Sequence, residues 1–172
     1  FCGVDTYSIL RCPYGSNFKA SSDNFTVHEP VRFVYCGRAS MPNDIHHLLR
    51  AADRLEPGSF ELTVIGAYDD SDGFLSPYLD KYNFTGSVLK AQVKAIMSEQ
   101  DVMVFPSLTD GMSLACLEAL ACSLPLLTTS ANGASDFVVE GSNGFVVEPG
   151  DEASLAMLMR WFVEHPCELA EM

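Results

Sequence analysis

From Val31 onward, short apolar runs alternate with longer stretches in which apolar positions recur every three or four residues. The short runs end in Gly, Pro or Ser and read as buried strands; the longer stretches read as amphipathic helices. The pattern predicts strands at 31–36, 61–66, 82–85, 102–105, 124–128 and 143–147. It predicts helices at 43–55, 75–80, 88–98, 112–122, 133–139 and 151–164. Strands separated by helices of this length imply βαβ units, so the expected fold is α/β, a doubly wound parallel sheet of about six strands with helices on both faces. Residues 1–30 are turn-rich, with one short strand candidate around Tyr7 to Leu10, and are read as a lead-in to a domain over 31–172. In such sheets ligands bind beyond the carboxyl ends of the strands. The loops at Gly37-Arg38, Gly66, Gly86, Ser107 to Gly111 and Ala131 to Ala134 all fall there.

The stretch from Asp101 to Pro125 carries the most chemistry. A buried strand is closed by Pro106-Ser107, Asp110-Gly111 makes a turn, and a helix follows with Leu114, Leu117 and Ala121 on one face. This leaves Asp110 at the helix mouth and Glu118 eight positions further on, roughly 12 Å along the axis at 1.5 Å per residue. That span matches the separation of a ribose from a sugar held across a diphosphate. Free amides and the positive dipole end at the helix N-terminus, around Met112 and Ser113, suit the diphosphate itself. Glu118, set among leucines and alanines, is costly to bury without a partner. The guanidinium fork of Arg38, after the first strand, can hold phosphate or can make a surface ion pair.

These residues resemble the acidic-x7-Glu signature of nucleotide-sugar glycosyltransferases of family 4, also called group 1, written here as Pro106, Ser107, Asp110, Gly111, Glu118 and Ala119. Further blocks fall in family order: Tyr35 to Arg38, Leu62 to Gly66, Phe84 to Val88, Gly141 to Pro149, and Cys12 to Gly15, which resembles an interdomain loop. The resemblance implies one half of a two-domain GT-B enzyme, the Rossmann-like C-terminal donor-binding domain, lacking an N-terminal acceptor domain of similar size. It implies sugar transfer with retention from a nucleoside diphosphate sugar to an acceptor hydroxyl, in pathways such as polysaccharide assembly. No metal or other cofactor is expected, and the half alone should not turn over. Glu118 would grip the ribose and Asp110 the sugar, where relatives carry Glu. Arg38, Gly37 and the Gly111, Met112 and Ser113 backbone would hold the diphosphate, with Asn132 and Gly133 beside the donor sugar. Asn43 aligns with a family Lys that is a second cation for the diphosphate. That departure supports an alternative, a non-catalytic glycosyltransferase-like subunit that binds or stabilises a partner.

Composition narrows the partners. A formal net charge of −13 over 172 residues argues against nucleic acid and against direct contact with an anionic membrane. No apolar run approaches the ~20 residues of a membrane helix. The six cysteines form no Cys-x-x-Cys pair, so no zinc or redox motif is expected and a reduced, cytoplasmic setting fits. His46 and His47 show no partner pattern, and Trp161 with Met157, Met159 and Phe162 reads as packing of the last helix.

Overall fold

The structure is a computed structural model and describes residues 27–39 and 44–172. The strand candidate at Tyr7 to Leu10, Cys2, Cys12 and Asn43 lie outside these residues. Six strands form one parallel sheet: β1 (Val31–Cys36), β2 (Phe60–Ile65), β3 (Asn83–Gly86), β4 (Val102–Phe105), β5 (Leu126–Thr129) and β6 (Gly144–Val147). Their spatial order is β3-β2-β1-β4-β5-β6, so the winding reverses between β1 and β4. The crossovers are α1 (Ile45–Ala52), α2 (Ser76–Leu79), α3 (Lys90–Met97), α4 (Leu114–Ala121) and a 3-10 turn over Gly133–Phe137; α5 (Glu152–Glu164) and α6 (Pro166–Ala170) close the chain. The doubly wound sheet follows the expectation strand for strand.

Two apolar layers cover the two faces. One joins Phe33, Tyr35 and Val104 of the sheet to Leu48 and Leu49 of α1 and Leu155, Met159 and Phe162 of α5. Phe33 meets Phe60 and Phe162 edge to face, with ring centroids 5.7 and 6.4 Å apart, a favoured aromatic geometry. The other layer joins Val34, Ile65, Met103 and Leu126 to Met97, Cys116, Leu117 and Cys122 beneath α3 and α4. The alternation of Phe33 and Val34 between these layers is the two-residue period of a strand buried on both faces.

Several boundaries differ from the sequence reading, each for a local reason. The first helix begins at Ile45 rather than 43, and Asp44 precedes it in a left-handed conformation (φ 65°) without capping it through its side chain. The segment at 133–139 is a short 3-10 turn ending at Phe137, and Pro166 starts an additional helix, α6. The helix expected from Met112 starts at Leu114 because Ser113 is its N-cap, its hydroxyl accepting from the Cys116 amide. Leu114 was placed on the apolar face but is 52% exposed; Cys116, Leu117, Ala119 and Cys122 make the buried stripe instead. Met157 likewise points outward while Met159 and Phe162 are buried.

Among the described residues Cys36, Cys116, Cys122 and Cys167 are free thiols. Burial pushes the Cys116 thiol up to about 12 and the Cys36 thiol up to about 11, the latter helped by the charge of Glu118. Thiolate is the reactive form. Exposed Cys167 is therefore expected to take up a maleimide at pH 8 well before Cys116, which should label only as the domain opens. Peptide mass spectrometry of the labelled protein reads this directly, and rapid native labelling of Cys116 would contradict the packing beneath α4.

Candidate functional site

The reversal between β1 and β4 opens a crevice at the carboxyl end of the sheet, where the chains leaving the two strands turn to opposite sides. It holds a cleft of about 230 Å3 lined by Tyr35, Gly37, Arg38 and Asp44 from the β1 side and Phe105, Ser107, Thr109 and Asp110 from the β4 side. The rings of Tyr35 and Phe105 stack within its lining, 5.2 Å apart and nearly parallel. Burial, then the charges of Asp44 and of other groups including Asp110, hold the Tyr35 hydroxyl well above its ordinary range, so it stays protonated.

The backbone of the second wall is closely fitted. Asp110 pairs with the strand-like residue Asn132: the Asp110 amide donates to Ala131 O at 3.1 Å and the Gly133 amide to Asp110 O at 3.1 Å. The carboxylate of Asp110 accepts from the Met112 amide at 3.0 Å, an Asx turn that fixes the helix entry. Asn132, fully buried, accepts from the Ser113 and Ala134 amides at 3.4 and 3.0 Å and donates to Thr128 and Cys116. Gly133 lies so near Gly111 that a Cβ would sit 2.0 Å from its carbonyl oxygen. On the first wall, Gly66 approaches Gly37 as closely.

Gly37, Arg38 and Asp110 thus meet at one cleft, with Gly111, Met112, Ser113, Asn132 and Gly133 forming the loop behind Asp110. The expected phosphate donors shift within this loop. The Met112 and Ser113 amides are occupied by Asp110 and Asn132, and the Cys116 amide by Ser113. Leu114 and Ala115 are left as the helix-mouth amides with no acceptor among the described residues. Glu118 lies further along α4, its side chain 14% exposed, and receives Lys90 Nζ at 3.0 Å. Lys90 begins α3, directly after the β3 loop, and so belongs to the same end of the sheet.

Four features were missed in the sequence. Asp44 enters the cleft because its left-handed backbone turns its carboxylate onto the Leu108 amide at 2.7 Å; nothing in Pro42-Asn43-Asp44 distinguishes that from a helix cap. Ser107, 4% exposed, carries a hydroxyl oxygen with no hydrogen-bond partner. The Lys90–Glu118 pair joins two helices through space. His47, read as partnerless, bonds through Nδ1 to Glu152 at 3.0 Å, where Arg50 and Arg54 also converge. Burial raises the Glu152 carboxyl, but His47 and Arg50 outweigh it and hold it below its ordinary range. Among the described residues no helix is long and apolar enough to cross a membrane.

A six-stranded doubly wound domain with its cleft at the strand-order reversal defines a Rossmann-like α/β module. Residues 30–165 match the family described as glycosyl transferases group 1, and the chain belongs to that family. It is 31% identical over 144 residues to the capsular polysaccharide biosynthesis glycosyltransferase CapM of Staphylococcus aureus, covering 80% of this chain and 36% of that protein. It is 28% identical over 145 residues to a Mycobacterium tuberculosis glycogen synthase, covering 80% of this chain and 35% of that one. The chain therefore spans little more than a third of the length of these relatives. Among solved structures, the C-terminal domain of the group 1 glycosyl transferase LpcC from Francisella tularensis superposes with a TM-score of 0.73 at 19% identity, covering 90% of this chain and 88% of that one. Anabaena HepE in complex with UDP gives 0.73 at 21% identity, over 83% of this chain and 42% of that one. The fold is thus that of one half of a GT-B enzyme.

Proposed function

We propose that this chain is the donor-binding half of a retaining glycosyltransferase that moves a sugar from a nucleoside diphosphate sugar to an acceptor hydroxyl, the acceptor being held by an N-terminal domain. The supporting observation is the convergence of Arg38 and Asp110, carried by opposing loops, on the switch-point cleft, in a chain of the group 1 family. As the bond between the anomeric carbon and the diphosphate breaks, negative charge builds on the leaving oxygen. Arg38, the Leu114 and Ala115 amides and the α4 dipole would stabilise it there. Asp110, held by the Met112 amide, would orient the sugar. Glu118 would bind the ribose hydroxyls through the oxygen that Lys90 does not occupy, with Lys90 holding the other. Gly37, Gly111 and Gly133 would allow the close approach of backbone to donor, and Asn132 would fix the loop. A cytoplasmic setting, where nucleotide sugars and free thiols coexist, completes the reading.

A second reading, a non-catalytic subunit that stabilises a partner, is favoured by Asp44, which puts a further negative charge into the cleft where a diphosphate must sit. Nucleotide titration separates them. With UDP as probe in calorimetry, Glu118→Ala is expected to weaken binding about ten- to a hundredfold, the worth of one or two hydrogen bonds to a charged group. Arg38→Ala should weaken it comparably, and more so at low salt. Binding indifferent to both substitutions would favour the partner-stabilising subunit.

A further inference from the structure

Among the described residues, cations are sparse at the end of the sheet where the crevice opens. Arg32 and Lys81 stand at the amino ends of β1 and β3. Arg50 and Arg54 come at or beyond the last turn of α1, which runs away from the crevice, and Lys94 and Arg160 lie further along α3 and α5. Arg38, after β1, and Lys90, the first residue of α3, are the Arg and Lys side chains that start from the ligand end.

Lys90 is badly placed for its own helix. A positive charge at a helix N-terminus opposes the dipole, and α3 has no acidic residue in its first turn to offset it. The helix start is held without the lysine, because the Gln92 side chain accepts from the Leu89 amide at 3.0 Å. The ammonium reaches instead across to α4, where Nζ stands 3.0 Å from Glu118 Oε1. The two side chains are unequally covered: that of Lys90 is 66% exposed, that of Glu118 only 14%. A pair with one partner in water contributes little to stability. Its place in the fold points to a ligand. The charge of Glu118 is felt by the Cys36 thiol at the end of β1, on the crevice side of the sheet. Along α4, Glu118 comes four residues after Leu114, about 6 Å of helix axis. A nucleotide whose phosphates meet the Leu114 and Ala115 amides therefore lays its ribose beside the pair.

A ribose presents two neighbouring hydroxyls, each able to donate one hydrogen bond and to accept others. A carboxylate with both oxygens open takes both hydroxyls as donors. Glu118 has Oε1 turned to Lys90, so Oε2 is left to accept from one hydroxyl. The other hydroxyl then falls next to an ammonium, which carries three N–H donors and no acceptor.

We propose that Lys90 is a specificity-determining residue of the donor site: Lys90 and Glu118 read the ribose as a pair, one hydroxyl donating to Glu118 Oε2 and its neighbour accepting from Lys90 Nζ. This rests on the donor-site reading above and goes beyond it, because the intact diol becomes the required feature and deoxyribonucleotides are rejected. A site built to hydrogen-bond a hydroxyl discriminates strongly against the analogue that lacks it.

The test is calorimetric titration of UDP, 2′-deoxy-UDP and 3′-deoxy-UDP into the wild-type chain and into Lys90→Met. Methionine keeps the length of the side chain without the charge, and at an exposed position it leaves the core untouched. The wild-type chain is expected to bind each deoxynucleotide at least about tenfold more weakly than UDP, the worth of one hydrogen bond to a charged group. In Lys90→Met one of these two penalties should fall to within about twofold, marking the hydroxyl that the ammonium holds, while the other persists through Glu118. Both penalties unchanged in Lys90→Met would overturn the proposal, since Glu118 would then read the diol alone. Loss of both would equally overturn the contact and leave Lys90 only holding Glu118 in place. Weakening of all three nucleotides by one factor would assign the lysine to the phosphates instead. Each of these results leaves the donor site standing, as would equal binding of the three nucleotides by the wild-type chain, which would also refute the pair. No UDP binding by the wild-type chain would remove the donor site and this inference together.

Discussion

Gly133→Ala is expected to cost the domain about 3 kcal/mol or more and to abolish measurable UDP binding, although it adds a single methyl group. The new Cβ would meet Gly111 O at 2.0 Å and Gly111 C at 3.0 Å, and both are backbone atoms that cannot swing aside as a side chain does. The two segments are joined on either side of this contact by the Asp110–Ala131 and Gly133–Asp110 bonds. Relief therefore requires breaking that pairing and moving Asp110 out of the cleft. Gly58→Ala is the control: its backbone is left-handed (φ 82°), as that of Gly133 is not, yet nothing lies within 4 Å of the added carbon. It should cost only about 1 kcal/mol, the backbone penalty alone. Urea denaturation of the pair measures both. If Gly133→Ala melts as close to wild type as Gly58→Ala, the two loops do not pack as described.

Asp101→Ala is expected to cost about 3–5 kcal/mol. Asp101 is fully buried and its carboxylate accepts from the His28 amide at 3.1 Å, His28 Nδ1 at 2.8 Å and the Arg32 amide at 2.7 Å. Alanine would strand two backbone donors beside β1 and free the segment leading into the sheet. Asp101→Asn, which keeps one acceptor oxygen but turns an amide toward a donor, should fall between alanine and wild type. His28→Ala should be mild, because that side chain is 36% exposed and its loss leaves the Arg32 bond intact. Equal stability of Asp101→Ala and wild type by chemical denaturation would show that this carboxylate is not the anchor.

The sheet was legible because most of its strands centre on short apolar runs, such as Phe33 to Cys36 and Val102 to Phe105, a local property, and the winding follows from right-handed crossovers between parallel strands. Arg38 and Asp110 were legible as partners for a related reason: both follow strands, and strand ends in such a sheet share one side. What local pattern could not supply was anything set by a single backbone angle or by contact between distant helices. The φ of 65° at Asp44 decides that its carboxylate meets Leu108 rather than its own helix. Lys90 reaches Glu118 only because α3 and α4 lie side by side over one layer. Leu114 faces outward because it is the first residue of α4, directly after the Ser113 cap, where helical periodicity is not yet constrained by packing. Helix rules alone point to Met112 and Ser113 as free amides. The Asp110 and Asn132 side chains reach those amides from outside the helix, which helix rules cannot anticipate.

The join between β1 and β4 has a consequence for how the chain could be divided. β1 meets β2 along six residue pairs, whereas β4 is in register with β1 at only Phe33–Val102 and Val34–Met103, supplemented by the Asp101 anchors. The chain passes from one three-stranded leaf to the other once, through the exposed turn at Ser98 and Glu99. A nick there would leave each leaf with its strands paired in full, and reassembly would depend on the short seam under the cleft and on the packing of α5 against α1 and Phe33. Two fragments cut at that turn would thus form a natural split reporter, in which ligand in the crevice bridges the leaves and favours their reunion.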